Sequence, residues 1–223
     1  MTAGLQVIGD NGTVQIDENY SNYHLVQSFQ AVQGDGLNKM ISGSLLSPNA
    51  LWAVYVTQGN ACPSPGYYRT QGRQFKYWFL IGAPQVVNMQ VYVFDVLAPQ
   101  GSTYGLEVYN AQGALVYDGQ GYPMRVIEPV QWEGSGTRPA VAGVRTAVAP
   151  LYGGRRVQDD GQQADYESWS LYMTGGGTST WSYFEQYITG PGSGVPVDYG
   201  SSGFFGLMLD VTDIPLNYLR LPK

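Results

Sequence analysis

The sequence predicts an all-β protein, a β-sandwich of jelly-roll-like character carrying two related β-hairpin units. Three observations predict it. Thirty Gly, 13 Pro and 18 Tyr among 223 residues, with only 13% charged residues, describe many short strands joined by tight turns. Long periodic runs of Glu, Lys, Arg and Leu, which helices need, do not appear. Finally, one phrase occurs twice: "GLQVIGDNGTVQID" (4–17) overlays "GLEVYNAQGALVYD" (105–118) without a gap. Gly4, Leu5, Val7, Gly12 and Asp17 fall on Gly105, Leu106, Val108, Gly113 and Asp118. Unrelated segments of that length would share about one residue at average usage.

The second copy explains what the phrase is. Leu106 and Val108 alternate with Glu107 and Tyr109, the period of two of a half-buried strand. Asn110-Ala111-Gln112-Gly113 then reads as a type I turn closed by a glycine of positive φ, and "ALVYD" returns. The first copy turns at Asp10-Asn11-Gly12. The parallel runs on: Tyr23-His24-Leu25-Val26 aligns with Met124-Arg125-Val126-Ile127, predicting a third strand in each copy.

Further strands are expected at 51–57, 75–81, 90–97, 144–149, 168–173, 183–188 and 205–211, where apolar and β-branched residues cluster between turn residues. "VYVFDVL" alternates, with Val91, Val93, Asp95 and Leu97 on one face and Tyr92, Phe94 and Val96 on the other. "YGGRRVQDDGQQADYES" (152–168) has no period and is expected to be a long exposed loop. "GNACPSPGYY" (59–68) is expected to be a turn-rich loop. The Pro/Gly-rich "LAPQGST" (97–103) is the best internal boundary, giving β halves of 1–98 and 99–223. A single packed unit of two halves is favoured, because each half alone would struggle to bury its apolar faces.

Composition also narrows function. A net charge of −6 argues against nucleic acid, which demands a basic face. No window is apolar enough to span a bilayer, and "MTAGLQVIGD" lacks the features of a secretory signal, so assembly in a cytoplasm is expected. One cysteine, Cys62, excludes an internal disulfide framework. His24 is the only histidine, and a surface position on a strand is expected of it rather than a catalytic one. Asp159, Asp160 and Asp165 lack calcium-loop spacing, and a solvated acidic loop is the better reading. Asp95, Glu107, Asp118 and Glu185 can be combined freely into glycosidase-like pairs, so that signal carries almost no weight. No catalytic residue, metal or cofactor is expected.

Aromatic residues stand out instead. Trp52, Tyr55, Tyr77, Trp78, Phe79, Trp169 and Tyr172 lie in apolar runs and are expected in the core. Tyr67, Tyr68, Trp181, Tyr183, Tyr187, Tyr199, Phe204 and Phe205 sit among Gly, Ser and Thr. Rings on turns can stack on sugars or anchor an interface, or simply cover the open ends of a sandwich. The C-terminal "GFFGLMLDVTDIPLNYLRLPK" has more apolar residues than one last strand needs. Phe204, Phe205, Leu216, Tyr218 and Leu219 are therefore candidate interface residues.

The two phrases together resemble a family of uncharacterised tailed-bacteriophage virion proteins. Members open with a G-[LI]-x-V phrase and carry a second, G-L-x-V-x-x-x-G-x-L-x-[FY]-[DS]. Gly4, Leu5, Val7, Gly105, Leu106, Val108, Gly113, Leu115, Tyr117 and Asp118 fit those patterns. The resemblance covers about the first thirty residues and a similar stretch around 91–127, and says little of the final hundred. It implies a structural component of a tail tip or tail-fibre assembly, made in the host cytoplasm, resident in the virion and bound to other tail proteins. A homo-oligomer is expected, with a trimer preferred because tail fibres are usually three-fold. The alternative is a carbohydrate-binding receptor-recognition module contacting a host surface glycan through Trp181, Tyr183, Tyr199, Tyr67 and Tyr68. A glycan depolymerase is a third and weaker reading.

Overall fold

The computed structural model describes residues 6–8, 14–17, 22–33, 50–58, 60–70, 74–80, 87–96, 105–119, 121–132, 136–159, 163–168, 170–174, 179–182, 188–191 and 197–219. Every regular element among them is a strand. The all-β class follows from the sequence as expected.

The first repeat runs through β1 (Gln6–Ile8), β2 (Val14–Asp17), β3 (His24–Gln33), β4 (Leu51–Gln58), β5 (Asn60–Thr70), β6 (Gln74–Leu80) and β7 (Val87–Asp95). The second begins with β8 (Glu107–Tyr109), β9 (Leu115–Asp118), β10 (Val126–Trp132), β11 (Gly136–Arg138) and β12 (Thr146–Asp159). It continues with β13 (Gln163–Ser168), β14 (Ser170–Thr174), β15 (Ser179–Ser182), β16 (Ile188–Pro191), β17 (Val197–Asp210) and β18 (Tyr218–Leu219).

Both copies of the repeated phrase are antiparallel hairpins, β1–β2 and β8–β9. The second shows why its turn residues are needed. Gly113 donates its N–H to Asn110 O at 2.9 Å, and the Asn110 side chain accepts from Gln112 N and Ala114 N. Gly113 has φ +78°, where a side chain would be strained. The turn of the first hairpin lies outside the described residues.

The main sheet has the order β10-β17-β12-β4-β7-β3-β18, all antiparallel along this path, with β13 and β16 added beside β12. A second sheet has the order β11-β15-β14-β5-β6. The main sheet takes strands from both sides of the 97–103 stretch. Its six long strands read the same from either end: β3-β7-β4 meets β12-β17-β10, and in each triplet the last strand in sequence lies between the other two. A β-bulge falls between Leu25 and Gln27 in β3, and another between Val126 and Glu128 in β10. Leu25 and Val126 stand in the chain at the spacing that relates Gly4 to Gly105. The repeat therefore extends beyond the hairpins into strand order, register and irregularity.

At the centre, β4 and β12 pair through Val54 and Val148. At the periphery, His24 bridges Pro123, Leu25 N donates to Tyr122 O at 2.8 Å and Met124 N donates to Tyr23 O at 2.9 Å. The sheet thus curls until β3 touches the residues leading into β10.

Both faces of this sheet are buried, as the alternation in β7 requires. Met89, Val91 and Val93 join Val26, Trp52, Val54, Val56, Val130, Val148 and Met208 in one apolar cluster. Tyr92 and Phe94 join Leu25, Ala53, Ala147, Ala149, Leu209, Val211 and Ile214 in the other.

Two loop expectations are corrected. Residues 152–168 are not a long loop: β12 continues to Asp159 and β13 returns along it, with Val157 opposite Tyr166. Strand ladders pair backbone groups, so a polar, aperiodic stretch can join one when a neighbouring edge is free. Likewise Cys62 lies on β5 opposite Leu80, not in a turn-rich loop. Of the strand expected at 183–188, residues 183–187 lie outside the described residues, and Ile188 begins β16.

Phe94 is fully buried, so Phe94→Ala should cost about 3–5 kcal/mol, read as a lower urea midpoint. An unchanged midpoint would contradict the burial of this face.

Candidate interaction surface

Three segments converge on the outer edge of β3 and together form one continuous surface. They are the hairpin β8–β9, the Gly121–Met124 connection and the segment that follows β17.

The hairpin carries a core of its own, Val108, Val116 and Tyr117. Two strands with three buried apolar residues are marginal alone, so docking matters. Asn22 donates both its backbone N–H and its Nδ2 to Val116 O, at 3.3 and 3.1 Å. The His24 ring lies 5.7 Å from the Tyr117 ring, and a Cβ at Gly121 would sit 2.9 Å from His24 Cδ2. His24 is 0% exposed, which corrects the expectation of a surface histidine. The hairpin covers it, an effect of tertiary contact that strand alternation cannot foretell. Its Nδ1 lies 3.0 Å from Asn22 O, and Asp95, also buried, is its register partner on β7. Burial raises the pKa of Tyr117, and the neighbouring Asp118 charge adds to the rise.

In the second repeat the same position reads differently. Arg125 stands where His24 stands, and it pairs with Asp210 at 3.6 Å and Asp213 at 3.1 Å. With the Arg125 side chain 40% exposed, this pair adds little to stability.

The segment Val211–Leu219 is strapped across the face formed by Tyr92 and Phe94. Ile214 is buried there, and Tyr218 packs edge-on against Tyr122 with ring centroids 5.4 Å apart. Four side chains hold its backbone. Ser28 Oγ donates to Pro215 O and Gln90 Nε2 donates to Leu216 O, both at 2.6 Å. Arg145 donates to Thr212 O and to Ile214 O, and Asp210 Oδ1 accepts from Thr212 N at 2.9 Å. Tyr218 and Leu219 then pair with Ser28 and Gln27 of β3.

The predicted interface residues separate accordingly. Tyr218 serves the core cluster beside the buried Ile214, whereas Leu216 and Leu219 point outward at 43% and 61% exposure. Phe205, on β17, is also exposed. Phe204 lies on β17, but its side chain is outside the described residues, as are those of Tyr67 and Tyr68 on β5, Trp181 on β15 and Tyr199 on β17. Tyr183 lies outside them altogether. The side chains of the predicted glycan-contacting set of aromatics therefore lie outside the described residues. Sequence reading missed Leu106 and Tyr109, both exposed on the second hairpin. For Tyr109 the alternation Leu-Glu-Val-Tyr was the signal, since it puts Val108 inward; for Leu106, which alternation sets on the Val108 face, there was none. Tyr109 Oη donates to Glu107 at 2.5 Å, and that bond raises the tyrosine's pKa.

Among the described residues no group of three or more His, Cys, Asp or Glu could hold a metal ion. No protein-family model, curated protein or solved structure matches the chain.

Two predictions follow from this geometry. Gly121→Ala should force the His24 ring aside and loosen the hairpin, at a cost on the order of 1–3 kcal/mol. Hydrogen exchange at 107–118 should then accelerate more than in the strands of the main sheet. Tyr92 is completely buried, and desolvation pushes its pKa up to about 12, partly offset by the Arg145 charge. The folded state thus holds this proton more tightly than the unfolded chain. Its contribution to stability is intact below about pH 10 and is lost as pH rises towards 12. Urea midpoints against pH should show this alkaline decline in the wild type and a shallower one in Tyr92→Phe.

Proposed function

We propose that this protein is a structural component of a bacteriophage tail tip or tail-fibre assembly, binding neighbouring tail proteins as a homo-oligomer, with a trimer preferred. The paired G-L-x-V phrases support the reading through their resemblance to virion proteins. The observation that carries it is the strap after β17. Its backbone is held at Thr212, Ile214, Pro215 and Leu216, yet Leu216 and Leu219 face solvent. Apolar side chains on a fixed backbone lose little entropy on docking, which is what a permanent assembly contact requires. A cyclic oligomer would repeat this patch on each subunit. The sandwich arrangement of the two larger sheets belongs to the same proposal, with the strapped face turned towards the partner.

Removing residues 212–223 would strip Ile214 and Tyr218 from the core, so truncation cannot separate folding from assembly. Substitution can. Leu216→Asp with Leu219→Asp should leave the melting temperature within about 4 °C of wild type. The same variant should lower the mass measured by sedimentation or abolish capture by the neighbouring tail proteins. Wild-type assembly by this variant would refute the role of the strap.

A further inference from the structure

We infer that β6 is a docking edge for a second copy of this chain, two β6 strands pairing antiparallel across a two-fold axis at Tyr77 and joining their sheets into one. The inference starts from how the sheets end. A terminal strand carries a row of backbone N–H and C=O groups that its own sheet leaves unpaired, and such a row templates another strand unless something blunts it. Among the described residues five strands end the two larger sheets: β10, β16 and β18 in the main sheet, β11 and β6 in the second. Four of them are blunted. β18 has two residues, β11 three and β16 four, the last closing on Gly190-Pro191. β10 is longer, but it carries Pro129, which has no N–H to donate. Its Glu128 is also tied to Arg138 of β11, at 2.5 and 2.6 Å, so these two edges hold each other.

β6 has none of these devices. "QFKYWFL" is seven residues long, lacks Gly and Pro, carries one charge and is rich in the aromatic residues that favour strands. Its ladder to β5 pairs 74–76 with 68–70 and 78–80 with 62–64. The irregularity between them belongs to β5, which sets Pro65-Gly66-Tyr67 opposite Tyr77, so β6 itself runs unbroken.

The sequence of the strand selects its own copy as the occupant. Antiparallel pairing about Tyr77 sets Phe75 opposite Phe79, Lys76 opposite Trp78 and Gln74 opposite Leu80, each twice. Aromatic residues then meet aromatic residues, and the one charge meets an indole rather than itself. An axis at Lys76 would instead set like charges opposite each other, so register is specified. A two-fold contact is isologous: it pairs both edges at once and closes at two copies. It uses neither Leu216 nor Leu219, does not rest on the assembly reading, and doubles whatever copy number the strap sets.

The test is a crosslink between full chains in a Cys62→Ser background. Tyr77→Cys brings two thiols together on the axis, with Cα atoms about 4.5–5.5 Å apart and within disulfide reach. Mild oxidation of the folded protein should give a covalent dimer on a non-reducing gel. Phe75→Cys alone should stay monomeric, because its copies lie about 14 Å apart along the strands, whereas Phe75→Cys with Phe79→Cys should crosslink. Tyr77→Cys that stays reduced in folded protein, or Phe75→Cys that crosslinks as readily, overturns the inference: the edge then serves a different chain or none. Mass in solution gives a second reading from a matched pair of variants. Trp78→Lys sets like charges opposite each other at Lys76 and should halve the mass measured by sedimentation, whereas Trp78→Glu sets opposite charges there and should keep it. Equal masses for the two folded variants also overturn the inference. Tyr77→Cys should crosslink equally in the Leu216→Asp, Leu219→Asp variant, so failure of the strap reading and failure of this one are told apart.

Discussion

A sheet with two apolar faces must have both of them covered, and this constraint organises the whole molecule. In β7, Val91 and Val93 look one way while Tyr92 and Phe94 look the other, and all four are buried. Burial of such side chains contributes about 1.5–3 kcal/mol each relative to exposure, so neither face can be left to water. The sheet meets the demand by curling until β3 reaches the chain before β10, and by strapping residues 211–219 across the face that contains Phe94. Arg145, Ser28 and Gln90 exist in this arrangement as holders of the strap's carbonyls. Each is a polar group beside an apolar cluster, spending its hydrogen bonds on backbone that must lie there.

Duplication supplies the rest. A strand triplet has two open edges after its central strand is paired on both sides, and two triplets in one sheet can close a pair of those edges on each other. The seam between β4 and β12 does this, with small Ala53, Ala147 and Ala149 nearby in the core. The two repeats have diverged where the hairpin meets the sheet. Asn22 holds its hairpin with two hydrogen bonds, whereas its counterpart Pro123 has no N–H to give. His24 is sealed beneath a tyrosine, whereas its counterpart Arg125 remains in contact with water and two aspartates. The same backbone plan thus carries one locked polar junction and one solvated one.

How much of this is legible in the residues depends on the range of the interaction. The hairpin 107–118 was readable because its cause is local: alternation fixes the faces, and Gly113 fits a left-handed turn. The face assignment in β7 was readable for the same reason, and both predicted faces of Val91–Phe94 appear in separate clusters. The strands within 152–168 and 59–68 were not readable, because nothing in their polarity announces a partner edge far along the chain. His24 was misplaced because its burial comes from Tyr117 and Gly121, roughly a hundred residues away. The candidate interface was half legible. Leu216 and Leu219 were picked out with Tyr218 by composition alone, but only packing separates the two exposed leucines from the tyrosine that serves the core.

The sequence by itself determined the class of structure, the twin hairpins, the faces of β7 and the turn at 110–113, since each rests on neighbours a few residues apart. Tertiary structure alone decided that the two repeats share one sheet, that the polar stretch after Pro150 becomes strand, and that the last apolar segment is spent mainly on covering a core. Alternation states which side of a strand is apolar; it does not say which distant edge or segment will lie against it.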